Sequence, residues 1–272
     1  MYTVRSTKTA QGELLTPAEQ DVYLSLLPDH VTTLGDVTRI LRNYSTARSV
    51  LWRLQKKGFV RKVRGGLYVL APPELRGKDV VADPYILAAR AAHGRYFLSY
   101  HSALEIHGVA HSRISTTSAS VSRRRGPFEY QGMAYNFVLE RRFFGLKDVL
   151  HAGVTIKVSD LERTVVECIR RLDLAGGLEE VLKSYQGLPY LNRRRVLSHL
   201  GLFGVRSLYH RLGFVLSMVG EGGRVPEGLL ATLKAKLSQR TYYLVPGTRG
   251  GRYDSEWRLV VPRNVEALLR GV

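Results

Sequence analysis

A glycine pair at Gly65-Gly66 narrows the possible folds most, because it joins two strand-like runs directly after three helical patterns. The runs are Phe59-Val60-Arg61-Lys62-Val63-Arg64 and Leu67-Tyr68-Val69-Leu70. A two-residue primed turn needs positive φ, which glycine supplies, so a hairpin is expected. Upstream, Thr16 and Glu19 form a capping box with Pro17 at the first helical position. Ala18, Val22, Tyr23, Leu26 and Leu27 then recur at helical spacing, and Pro28 ends the pattern. A second helix fits Leu34 to Leu41, with Leu34, Val37, Ile40 and Leu41 on one side. Arg42-Asn43-Tyr44 leads into a third, capped by Ser45 or Thr46, with Ala47, Val50, Leu51 and Leu54 inward and Gly58 at its C-terminal cap. Three helices followed by a hairpin make a winged helix-turn-helix.

That order sets the chemistry expected of the exposed residues. A recognition helix lays its N-terminal turns and one face in the major groove. Here the third helix offers Tyr44, Ser45, Thr46, Arg48, Ser49, Arg53 and Lys57, and the wing offers Arg61, Lys62 and Arg64. Short hydroxyls suit phosphate, and Arg48 or Arg53 can bond guanine O6 and N7 bidentately. The alternative is that Ser45 and Thr46 only cap and the arginines form a solvated face, which includes a winged helix used purely for protein contact.

Charge points the same way. The 272 residues carry 41 Lys and Arg against 23 Asp and Glu, a net charge of +18 and a pI of about 10.2. The excess is +6 over residues 1–80, +2 over 81–182 and +10 over 183–272. An acidic partner, most simply nucleic acid, is implied. A 44% hydrophobic content excludes a wholly disordered basic chain. The longest strongly apolar stretch, Leu212 to Val219, falls far short of the ~20 residues of a membrane span, so no membrane partner and a cytoplasmic location are expected. A lone Cys168 excludes an internal disulfide framework and a cysteine-rich zinc site.

The predicted organisation is α+β. Residues 1–13 form a polar tail without signal-segment character, 14–73 the winged helix-turn-helix, 74–84 a linker, and 85–272 a larger mixed, helix-rich domain. Within the last, Tyr85 to Ala92 reads as helix, stopped by Gly94, and Ser99 opens a helix that ends at Gly108. Strands are expected over 114–140, around the Arg123-Arg124-Arg125-Gly126-Pro127 loop and a Gln131-Gly132 turn. Ser159-Asp160-Leu161-Glu162 reads as a second capping box. A helix starts at Leu178, Asn192 to Val219 is helical with breaks near Gly201 and Gly204, and Pro226 to Leu237 is helical. Two strands follow, Thr241 to Val245 and Glu256 to Val261.

Six stretches in register across residues 15–265 resemble the AbiEi-type antitoxins of abortive-infection (type IV) toxin–antitoxin systems. They are Arg64-Gly65-Gly66-Leu67-Tyr68, Phe97 to Gly108 (FLSYHSALEIHG), Ser159 to Cys168 (SDLERTVVEC), Leu174 to Val181 (LAGGLEEV), Arg211 to Leu216 (RLGFVL) and Trp257 to Pro262 (WRLVVP). Glu167 departs from the pattern, which has Asp before the cysteine. The resemblance implies a repressor that binds inverted repeats at its own promoter, and a C-terminal domain that neutralises a nucleotidyltransferase-type toxin in phage defence. Monomer and weak dimer both stay open. The alternatives are a stand-alone winged-helix regulator and a nucleic-acid-processing enzyme.

Enzyme signatures are thin, so no catalytic residue, metal or cofactor is expected. His107 and His111 are four apart, but Gly108 lies between and no third ligand is evident. Asp160, Glu162 and Glu167 are poorly aligned as a carboxylate cluster, and Asp254 and Glu256 are followed by Arg258 where a nuclease site places Lys. Gly220-Glu221-Gly222-Gly223 lacks the Lys-Ser/Thr of a P-loop. Arg123, Arg124, Arg125, Arg193, Arg194 and Arg195 remain as further DNA or partner contacts, or as solvated faces.

Overall fold

The computed structural model describes residues 14–220 and 225–270, with the backbone alone at Arg270. The tail expected over 1–13 and part of the Gly220–Gly223 run lie outside the described residues. The protein is α+β and divides into two compact units. The first runs up to Ala91 and includes His151–Val154; the second takes 92–150 and 155 onward.

The first unit holds α1 (Pro17–Leu26), β1 (Val31–Thr33), α2 (Leu34–Leu41), α3 (Tyr44–Lys56), β2 (Val60–Arg64), β3 (Leu67–Leu70) and α4 (Pro84–Ala92) up to its last residue. Its sheet has the order β1-β3-β2 with antiparallel pairs. The strand β1 is absent from the sequence reading, since three residues (Val31-Thr32-Thr33) carry too little alternation to register. Val22, Tyr23, Leu26, Val37, Ala47, Val50, Leu51, Leu54, Phe59 and Val60 fill the core. The Tyr23 ring meets Phe59 edge-on at 5.0 Å, and its hydroxyl donates to Ala71 O at 2.6 Å.

Helix ends follow the sequence except at the start of α3, and the turn of the wing differs as well. Thr16 and Glu19 form the expected capping box on α1. Asn43, rather than Ser45 or Thr46, caps α3, its side chain accepting from Thr46 N at 2.9 Å. The far end of α3 closes at Gly58 in the left-handed conformation, with Phe59 N bonded to Leu54 O and Gly58 N to Gln55 O. At the wing only Gly66 has positive φ, so the turn is not a primed one; instead the register shifts between Lys62 and Arg64.

The expected 74–84 linker is part of the first unit. Gly77 N donates to Gly58 O at 3.0 Å, Arg76 Nε donates to Lys57 O at 2.7 Å, and the Arg76 guanidinium lies 4.5 Å over the Phe59 ring. Asp83 then caps α4 by accepting from Tyr85 N and Ile86 N.

The second unit contains β4 (Tyr96–Leu98), α5 (His101–Ile106), β5 (Thr116–Val121), β6 (Phe128–Tyr130), β7 (Met133–Leu139), β8 (Leu146–His151) and β9 (Val154–Ser159), in a sheet ordered β6-β7-β5-β4-β9-β8. β4 and β9 run parallel, as do β5 and β7. Gln131 and Gly132 both take positive φ and turn β6 into β7, as the sequence anticipates. Five helices follow: α6 (Leu161–Arg170), α7 (Leu178–Gln186), α8 (Arg193–Phe203), α9 (Ser207–Val219) and α10 (Leu229–Ala235). A small sheet, β10 (Tyr242–Tyr243), β11 (Arg252–Asp254) and β12 (Leu259–Val261), precedes α11 (Val265–Arg270).

Here too the sequence needs correction. The α8–α9 break falls at Gly204 alone, Gly201 being inside α8. α10 is shorter than Pro226 to Leu237, an additional strand β11 lies between the two expected ones, and the last strand starts at Leu259. Asp160, not Ser159, caps α6, accepting from Arg163 N at 2.8 Å, while Glu162 accepts from Asn192 N at 2.8 Å. The buried Arg163 ties the sheet loop to the helices: it donates to Glu167 Oε1 at 2.7 Å, to Arg142 O at 3.0 Å and to Phe144 O. Its guanidinium lies 4.3 Å from both the Phe97 and Phe144 rings.

Candidate nucleic-acid interface

The third helix presents two chemically distinct exposed sides, and one residue on α1 decides which cations belong to which. Along α3, Ala47, Val50, Leu51 and Leu54 face the core. At 3.6 residues per turn the opposite side carries Ser45, Ser49, Trp52 and Lys56, spaced by four, three and four. All four are exposed, Trp52 at 60%. Arg48 and Tyr44 flank this stripe on the wing side. Burial raises the Tyr68 hydroxyl on β3, while the charge of Arg48 lowers it and that of Tyr44 raises it. Arg48 is exposed and makes no ion pair among the described residues.

On the other flank the expectation fails for Arg53 and Lys57. Both reach to Glu19, whose carboxylate is fully buried: Arg53 Nε donates at 2.5 Å and Lys57 Nζ at 2.8 Å. Lys57 Nζ also donates to Leu14 O at 2.9 Å. Burial alone would raise the Glu19 carboxyl, but hydrogen bonds from Lys57, the Thr16 backbone and Arg53 hold it at about 2. These two cations therefore fasten α3 to α1. On the helical wheel of α3, Arg48 and Arg53 lie about equally far to either side of the outward face, so it is the buried Glu19 that separates them.

Ser45 and Thr46, freed from capping, are exposed, with Ser49 Oγ donating to Ser45 O at 3.1 Å. On the wing, Lys62 and Arg64 are exposed, and Arg61 is paired with Asp79. Trp52 and Lys56 are the residues that sequence reasoning missed. The Lys56 ammonium lies 5.6 Å from the Trp52 ring, a cation–π contact at an exposed site.

The six further arginines split. Arg125 donates from Nε to Ala92 O and from a terminal nitrogen to His93 O. Arg193 donates to Thr232 Oγ1 at 2.7 Å and to Glu227 O at 3.5 Å. Arg123, Arg124, Arg194 and Arg195 are exposed.

Histidines and carboxylates elsewhere are engaged in structure. His101 Nε2 lies 3.2 Å from Glu180 Oε1, and Glu180 also accepts from His111 N and from Ser112. His107 Nε2 bonds Ser159 O at 2.8 Å. Among the described residues no group of three His, Cys, Asp or Glu is placed to hold a metal ion. Cys168 is fully buried, and burial pushes its thiol well above the ordinary value. No described helix is long and apolar enough to cross a membrane.

Against known proteins, the sequence matches no family model and no curated protein. Among solved structures, the chain is similar to the Rv2827c protein from Mycobacterium tuberculosis, with a TM-score of 0.62 and 17% identity over 96% of this chain and 97% of that one. The likeness is one of fold. It extends through both units, so the winged helix and the larger α+β unit recur together in another chain.

Proposed function

We propose that the protein binds double-stranded DNA through α3 and the wing and represses its own promoter. The observation that carries this reading is the outward stripe of α3, flanked by an unpaired Arg48 and a basic wing, on a chain of net charge +18. Backbone amides at the start of α3 and the hydroxyls of Ser45 and Thr46 suit phosphate oxygens, while Arg48 suits a guanine edge. The antitoxin part of the proposal rests on the six sequence stretches that resemble the AbiEi type, and assigns neutralisation of a nucleotidyltransferase-type toxin to the second unit.

An electrophoretic shift with the DNA upstream of its own gene tests the first part, and is expected to show a preference over scrambled duplex of the same composition. Equal affinity for the two would refute it. Co-expression with the neighbouring gene, scored as growth rescue, tests the second part. A neighbour that is not toxic leaves a stand-alone regulator.

A further inference from the structure

The centre of the outward face of α3 is an aromatic ring, and that choice of residue has a chemical meaning. Phosphate contacts are made by cations, amides and hydroxyls, and base-edge hydrogen bonds by Arg, Lys, Asn and Gln. An indole does little of either beyond a single N–H donor. Trp52 nonetheless sits midway along the stripe, one turn after Arg48 and Ser49 and one turn before Lys56. It is 60% exposed, with none of the core residues of the unit covering it. Helical side chains lean towards the N-terminus, so the ring lies over the turn formed by Arg48 and Ser49. The small Ser45 and Ser49 let the helix approach a groove floor closely, which brings the ring to base edges rather than leaving it at the rim. The Lys56 ammonium lies 5.6 Å from the ring centroid and covers part of its surface.

In a major groove the apolar group on offer is the C5-methyl of thymine. We infer that Trp52 recognises thymine methyl groups, so that the preferred duplex carries thymine opposite the third turn of α3. This rests on the proposed DNA-binding reading and names the base chemistry that the same face selects. A ring packed only on deoxyribose would show no dependence on the methyl.

The test replaces thymine by deoxyuridine, which removes the methyl and keeps every Watson–Crick atom. Full-length protein and the variant W52A are titrated with the upstream duplex in both forms, and with scrambled duplex. The wild-type protein is expected to lose roughly 5- to 20-fold affinity on the uracil duplex, within the range of a single base-edge contact. W52A is expected to lose a similar factor on thymine DNA and to be indifferent to uracil. A wild-type protein that prefers the upstream duplex but binds its uracil form equally well would overturn the inference alone. Loss of the preference over scrambled duplex would overturn the DNA-binding reading with it.

A second readout does not depend on the variant folding. The sequence holds two tryptophans, and Trp257 is 1% exposed, so quenching by acrylamide reports Trp52. Binding of the upstream duplex is expected to shield it severalfold. Undiminished quenching in the complex would place the ring outside the groove and overturn the inference.

Discussion

Glu19 is the residue on which the placement of α3 against α1 turns. One carboxylate caps α1 by accepting from Thr16 N and holds Arg53 and Lys57 of α3. Removing one partner of a buried charge pair typically costs about 3–5 kcal/mol. Because Arg53 is partly solvated, Glu19→Gln is expected to destabilise by less than that range, about 2–3 kcal/mol in urea unfolding. The pH dependence has a definite sign. A carboxyl held at about 2 when folded, against an ordinary value of 4.5, contributes stability above pH 4.5 that fades as pH falls towards 2. Wild type should therefore lose more stability than Glu19→Gln between pH 5 and pH 2. Arg48 belongs to the opposite class: Arg48→Ala should leave melting unchanged, cost about 1–3 kcal/mol of upstream-duplex affinity and relax the sequence preference, as read by gel shift. Arg53→Ala should do the reverse, lowering melting more than specificity.

At the scale of elements, the helices of the first unit were legible because each carries a cap, a periodic apolar face and a stop. α2 matches its expected span of Leu34 to Leu41. What composition could not show was which way each cation of α3 points, because Arg48 and Arg53 look alike until Glu19 is placed by tertiary contact. Trp52 escaped notice for a related reason: an aromatic in a helix is ordinarily core, and only the full wheel puts it outside. Short strands such as β1 in the first unit and β10 and β11 in the second are unreadable or blurred in the sequence, since two or three residues show no alternation. α9 illustrates packing that the sequence hints at only through a mid-helix glycine. A Cβ on Gly213 would lie 1.9 Å from Cζ3 of Trp257, so the indole occupies the space that any side chain would need. Gly213→Ala is expected to destabilise by about 1–3 kcal/mol, as overpacking does, and to shift the buried tryptophan emission to the red.

For the molecule as a whole, charge is the property that sequence reports best, and it bears on binding strength rather than on the fold. If ~4–6 phosphates are neutralised, the log–log dependence of affinity on salt should have a slope near −4 to −5. A slope near zero would mean that the positive charge meets something other than a duplex. The boundary between the units was misplaced for a physical reason. Residues 74–84 are polar and rich in turn formers, yet they are held by the Gly77–Gly58 hydrogen bond and by Arg76 stacked on Phe59.

That strap dictates where the first unit can be severed and still stand alone. A fragment spanning 14–73 forfeits two hydrogen bonds and a cation–π contact at the root of the ribbon, about 1–3 kcal/mol together. Scissors placed after Ala92 spare all three, so the longer piece should melt several degrees higher and be the portable one.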